Sequence, residues 1–297
     1  WKLGVLNDPF NYAKYTTQSN GKVLYETTLD EVQIPKQSFA ANKVITIIDN
    51  RQANLQKIVT DLMSKFSPES SYVHLGYEAV TLSSETAKLL GNKTDGREVQ
   101  MSGRKGLYIN ADEIIAKLEK RIYLESKERN TSLDDTSLNE IAHNVANGTI
   151  RYELIKPDLD KIITFDINTS LKLEGDTCSY IQYSCVRAAR ILEKSDKKPD
   201  FNALFDQLNT EHDLNLIKQI GMFEIFVNDA AKNYSPKVIA KYCYGLAVTF
   251  SSFYEHVKVL KAETPELVNA RLCLVLSFGL TLEKALDLLG ITVPQRM

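Results

Sequence analysis

Apolar and polar positions along the chain fall into two regimes. Residues 43–48 form a β-rich apolar run. The following stretch, 52–66, places Leu55, Ile58, Val59, Leu62 and Met63 at three-and-four spacing, so the pattern predicts a strand followed by an amphipathic helix. A second strand is predicted over 71–81. The polar stretch 91–100, rich in Asn, Lys, Asp and Gly, predicts an exposed excursion. From about Asn110 the spacing turns helical, with extended segments predicted only near 150–155 and 161–165. Lys198 and Pro199 break a helix pair. Ser235 before Pro236 and Thr264 before Pro265 predict capped helix starts, and Gly290 predicts the end of the last helix. In the long helix after Pro236, Ile239, Tyr242, Cys243, Leu246, Phe250, Phe253, Tyr254 and Val257 share one broad face.

Composition narrows the function classes. With 297 residues, 43% apolar and 25% charged, the chain can bury the cores of two ordinary domains. The 36 Lys plus Arg are offset by 38 Asp plus Glu, a net charge of -2, which excludes whole-surface attraction to nucleic acid and leaves only local patches for RNA. Cys178, Cys185, Cys243 and Cys273 have neither CxxC nor zinc-finger spacing, so free thiols in a reducing compartment and no structural metal are expected. No stretch approaches the roughly 20 uninterrupted apolar residues of a membrane span, and the beginning lacks a secretion-signal layout, so a cytoplasmic protein without membrane contact is expected. His74, His143, His212 and His256 form no triad or metal spacing and receive no catalytic role. Asp112 and Glu113 suit the first turn of a helix. The doubly charged run 117–128 reads as a solvated helix face.

Three segments carry a family resemblance. The first is Met101-Ser102-Gly103-Arg104-Lys105-Gly106 before a predicted helix. Small Ser and Gly let backbone approach a triphosphate, and adjacent cations offset charge developing on a pyrophosphate leaving group. The second is Glu174-Gly175-Asp176-Thr177-Cys178-Ser179-Tyr180-Ile181-Gln182-Tyr183, ending in Arg187. It presents aromatic faces, an amide and a guanidinium of the kind that single-stranded RNA recognition uses. The third joins Phe250-Ser251-Ser252-Phe253-Tyr254-Glu255 and Ala270-Arg271-Leu272 to the last residues, 288–297, which close on Met297. Aromatics at such spacing suit core packing as well as base contact, and Phe253 is assigned to the core.

Together these segments resemble arginyl-tRNA synthetases, over roughly 15–297. The first looks like the second signature loop of class I synthetases, with Gln100 where a leading lysine usually stands. The second resembles the run that opens the family's anticodon-binding domain, with Cys178 and Ser179 replacing the usual Gly and Pro. Ser19-Asn20-Gly21-Lys22 is a looser likeness. The family's first signature, His-x-Gly-His, is expected before this region; His74-Leu75-Gly76-Tyr77 has the wrong last residue. A C-terminal part, unable to activate arginine alone, is therefore expected.

The resemblance implies a multidomain α/β plus all-α architecture: a partial Rossmann-type class I catalytic domain followed by an α-helical anticodon-binding bundle. The expected divisions are 1–118 with the signature loop at 100–106, a helical connection at 119–164, and the anticodon domain at 165–297. Ser102, Arg104 and Lys105 would serve catalysis, and Met101, Ser102, Gly103, Arg104 and Lys105 would bind ATP with Mg2+. Tyr180, Gln182, Tyr183, Arg187, Tyr254 and Met297 would meet the anticodon of tRNA-Arg. ATP, L-arginine and tRNA-Arg are the implied partners of a monomeric enzyme. A non-catalytic tRNA-binding module is the alternative. The related cysteine enzyme would need zinc-ligand cysteines, which this sequence does not place.

Overall fold

The computed structural model describes residues 11–29, 41–91, 99–100, 110–130, 132–202 and 205–297. The chain divides into two compact units, one up to Glu78 and one from Ala79 to Met297. That boundary falls inside the predicted segment 1–118.

The first unit opens with an antiparallel hairpin of β1 (Asn11–Thr17) and β2 (Val23–Thr28). Gly21, at φ +81°, supplies the left-handed turn conformation that a side chain would strain. A βαβ unit follows: β3 (Lys43–Asp49), α1 (Ala53–Phe66) and β4 (Ser71–Tyr77), with β3 and β4 parallel and in register from Lys43 beside Ser71 to Asp49 beside Tyr77. Helix and sheet are joined by a hydrogen-bond relay: the Thr46 hydroxyl donates to Tyr72 at 2.8 Å, and Tyr72 donates to the Gln56 amide oxygen at 2.6 Å. Gln56, Val59 and Met63 are the covered positions of α1, whereas Leu55, Ile58 and Leu62 of the predicted apolar face remain exposed, as does Phe66. The helix carries apolar residues on two sides, and one sheet can cover only one of them.

In the second unit, β5 (Val80–Leu82) leads to α2 (Ser84–Leu89), β6 (Val99–Gln100), α3 (Ala111–Arg129), α4 (Asp135–Ile155) and β7 (Ile163–Phe165). β5 is central, parallel to β7 and antiparallel to β6. The strand predicted over 71–81 is thus two strands in separate sheets, and the extended segment predicted at 150–155 is the end of α4. Local propensity loses there because Tyr152 is fully buried on the helix. Leu82, Leu118, Ile122, Ile141, Val145 and Phe165 share one core, so the run 117–128 is solvated on one side only.

The rest is helical: α5 (Ile167–Ser170), α6 (Cys178–Glu193), α7 (Glu211–Gly221), α8 (Phe223–Asn233), α9 (Pro236–His256) and α10 (Pro265–Leu288). α6, α7, α9 and α10 surround a second core rich in Phe250, Phe253, Phe278, Leu246 and Leu272. Rings of Phe250 and Phe278 stack 3.8 Å apart across α9 and α10. By length and composition α10 could cross a membrane. Its apolar side chains instead fill this core, with Leu272, Val275, Phe278, Leu282 and Leu286 fully buried. Thr264 caps α10, its hydroxyl accepting from the Leu267 N–H at 3.1 Å. Ser235 makes no capping bond, and Pro236 alone marks the start of α9. α10 ends in a Schellman motif: Gly290 at φ +67° donates to Asp287 O at 2.9 Å, and Ile291 donates to Leu286 O at 3.0 Å.

Candidate nucleic-acid interface

The start of α6 is fixed without the Gly and Pro expected there. The Thr177 hydroxyl accepts from the Tyr180 N–H at 3.2 Å and donates to Lys172 O at 2.6 Å, capping the helix and tying down the loop before it. Asp176 accepts from the buried Tyr152 hydroxyl at 2.5 Å, and Lys156 donates to the Asp176 carbonyl at 2.8 Å. Burial and the adjacent Asp176 carboxylate raise the Tyr152 phenol well above its usual range, so it stays a donor.

Helical geometry sorts the predicted residues. Ser179, Tyr183, Arg187, Arg190 and Lys194 form one stripe along α6. At its middle, the Arg187 guanidinium lies 4.8 Å from the Tyr183 ring centroid and 4.5 Å from that of Tyr254 on α9. A cation between two aromatic faces is favourable and holds both rings in place. Beside this sandwich lies a cavity of about 370 Å³ lined by Tyr183, Arg187, Arg190, Lys194 and Tyr254, with an apolar wall of Val257, Val259 and Leu260. Three cations and no carboxylate line it, so its field favours an anion. A second cavity, of about 360 Å³, adjoins the first through Tyr183. Met297 and Ser179 line it together with Ser126, Arg129 and Asn130 from the end of α3.

Tyr180 and Gln182 face elsewhere. Tyr180 donates to Ser251 at 2.9 Å and sets its ring edge-on to Tyr244, 6.0 Å away. Gln182, one residue before Tyr183, points about 100° from it around the helix. It is completely buried, and its amide nitrogen donates to Thr292 O at 2.8 Å and Asn144 O at 3.3 Å. Neither its surface nor its donors are available to a nucleotide. Met101, Ser102, Gly103, Arg104 and Lys105 lie outside the described residues.

Arg190 and Lys194 were legible as the continuation of the Arg187 stripe, at i+3 and i+7. The α3 contribution had no signal, because Ser126 belongs to the run 117–128 that reads as a solvated face, and Arg129 and Asn130 directly follow it. Cys178, Cys185, Cys243 and Cys273 are all buried and free; burial pushes the Cys243 thiol up to about 12, so it is no nucleophile near neutral pH. No group of three or more His, Cys, Asp or Glu side chains among the described residues could hold a metal. His212 and His256 stack with centroids 4.5 Å apart, sharing Ser252 as hydrogen-bond partner, an arrangement outside both cavities.

Residues 181–297 match the DALR anticodon binding domain. The chain is 33% identical over 289 residues to the arginine–tRNA ligase of Borrelia hermsii, covering 96% of this chain and 47% of that protein. It is 30% identical to that of Thermococcus kodakarensis, covering 100% and 46%. The structure superimposes on the arginyl-tRNA synthetase of Thermus thermophilus with a TM-score of 0.79 and 29% identity, covering 100% of this chain and 47% of that one. The chain thus spans about half the length of these relatives.

Proposed function

The chain belongs to the arginyl-tRNA synthetase family, and we propose that its helical half grips the anticodon loop of tRNA-Arg in the ATP-dependent attachment of arginine. The observation that carries this reading is the Tyr183–Arg187–Tyr254 sandwich beside a cavity lined by Arg190 and Lys194. Unstacked anticodon bases need aromatic or guanidinium planes to replace lost stacking, worth about 1–3 kcal/mol per base. The phosphates between them need cations. Tyr183 and Tyr254 supply the planes, Arg187 both plane and charge, and Arg190 and Lys194 further charge. Met297, which lines the second cavity together with Tyr183, supplies a polarisable thioether against which a base can pack.

In the reaction the family name implies, arginine's carboxylate attacks the ATP α-phosphate to form arginyl-adenylate and release pyrophosphate, and a terminal ribose hydroxyl of the tRNA then takes the arginyl group as AMP leaves. Alignment and neutralisation of the departing pyrophosphate carry such a step. Ser102, Arg104 and Lys105 are proposed to serve that leaving group, with ATP bringing Mg2+; the motif supports this assignment. L-arginine as substrate, a monomeric state and the cytoplasm complete the reading.

The test is equilibrium binding of the chain to anticodon stem-loops of tRNA-Arg with native and altered anticodons, across salt. The native loop is expected to bind about tenfold more tightly, roughly 1.4 kcal/mol, and Tyr254→Ala to erase that preference. Equal binding of every loop, falling only with salt, refutes the anticodon assignment.

A further inference from the structure

Among the described residues, one side-chain hydrogen bond ties the segment after α10 to the bundle, beside the apolar contacts of Ile291, Val293 and Met297. Gly290 turns the chain back, Ile291 is buried, and the Thr292 carbonyl accepts from the Gln182 amide at 2.8 Å. The same nitrogen donates to Asn144 O on α4 at 3.3 Å, so one amide joins α4, α6 and the tail. The Gln182 oxygen is buried without a partner among the described residues. Flipping the amide would turn that oxygen onto two carbonyls, so the two acceptors fix its orientation. The unpartnered oxygen offsets part of what the two donated bonds contribute, so the net contribution of Gln182 to stability is small.

Space for the amide comes from Gly148 in the interior of α4, where glycine weakens the helix. A Cβ at Gly148 would stand 2.9 Å from the Gln182 amide nitrogen, 3.0 Å from Cys178 Sγ and 3.1 Å from Ile291 Cγ2. Five residues beyond Thr292, Met297 reaches the cavity that Tyr183 also lines and packs against the core containing Leu118, Ile122 and Ile141.

We propose that Gln182 and Gly148 form a lock that places Met297 beside Tyr183, making both positioning residues for RNA binding although neither touches RNA. The RNA half of this inference rests on the anticodon reading above; the lock itself does not.

The experiment compares the parent chain, Gln182→Met, Gly148→Ala, Met297→Ala and Gln182→Met with Met297→Ala. It reads amide hydrogen exchange of the tail, the melting temperature and stem-loop affinity. Gln182→Met keeps the volume and removes both donated bonds, so the Ile291 amide, which donates to Leu286 O at 3.0 Å, is expected to exchange at least tenfold faster while the melting temperature stays close to the parent's. Gly148→Ala is expected to free the tail in the same way by displacing the amide. Stem-loop affinity is expected to fall equally in Gln182→Met and Met297→Ala, and no further in the double variant. Unchanged tail exchange in both Gln182→Met and Gly148→Ala overturns the lock. Losses that multiply in the double variant overturn the claim that Gln182 acts through Met297. If Met297→Ala binds RNA like the parent, the role given to Met297 fails, and tail exchange still decides the lock.

Discussion

Replacing Arg271 by alanine tests whether the helical bundle is organised around a buried charge. Arg271 on α10 is 6% exposed and Asp213 on α7 is fully buried. The guanidinium donates to both Asp213 oxygens at 3.3 Å and to the Lys258 carbonyl at 3.1 Å. Thr210 completes the shell, its hydroxyl donating to Asp213 at 2.6 Å in a capping box that starts α7. Arg271→Ala leaves the Asp213 carboxylate out of water with only Thr210 as partner. Removing one member of such a pair costs about 3–5 kcal/mol, against roughly 0–1 kcal/mol for a surface pair. For a unit of this size, with a melting shift of about 2–4 °C per kcal/mol, the midpoint drops by roughly 6–20 °C. Circular dichroism during heating and urea denaturation read this directly. The double change Arg271→Met with Asp213→Leu is expected to restore most of the loss, since apolar packing can replace a buried pair. A cost below about 1 kcal/mol for Arg271→Ala refutes the reasoning. Function follows stability here, because the freed Lys258 carbonyl belongs to the segment between Val257 and Leu260 that walls the first cavity.

Other perturbations separate charge, capping and turn geometry. Arg187→Lys keeps the charge but loses the plane between Tyr183 and Tyr254; stem-loop titrations are expected to show an unchanged salt slope and a lost preference for the native anticodon. Burial alone would raise the Asp166 carboxyl, but hydrogen bonds from Ser83 and Thr169 hold it below its usual value. Its folded pKa is depressed, so it contributes stability above the unfolded value near pH 4, and that contribution disappears as pH falls through the folded pKa. Urea midpoints measured from pH 6 down to 3 are expected to decline less steeply in Asp166→Asn. Gly290→Ala places a side chain in the left-handed region and within 2.9 Å of the Arg151 guanidinium, for a loss of about 1–2 kcal/mol, read from urea denaturation.

Much of the interface was legible because helical period and side-chain chemistry are local. Tyr183 and Arg187 are four apart, so any helix through them puts both on one face, and Arg190 and Lys194 extend it. Tyr180 and Gln182 carried equally suitable chemistry, yet no period read along α6 alone says which of its faces meets the bundle. The meeting of α3's Ser126, Arg129 and Asn130 with Met297 joins residues more than 160 positions apart, and nothing local encodes it.

By itself the sequence determined the pairing of strand β3 with helix α1, the long helices, the Thr264 cap and the Gly290 stop, since each depends on spacing or on one residue's backbone freedom. It also carried the family resemblance, because the three motifs read as short strings. Only the tertiary structure decided that the strand predicted over 71–81 divides between two sheets, that 150–155 stays helical, and that Gln182 anchors the tail. Those outcomes turn on burial and on which distant groups satisfy a hydrogen bond, quantities that exist only once the chain has packed.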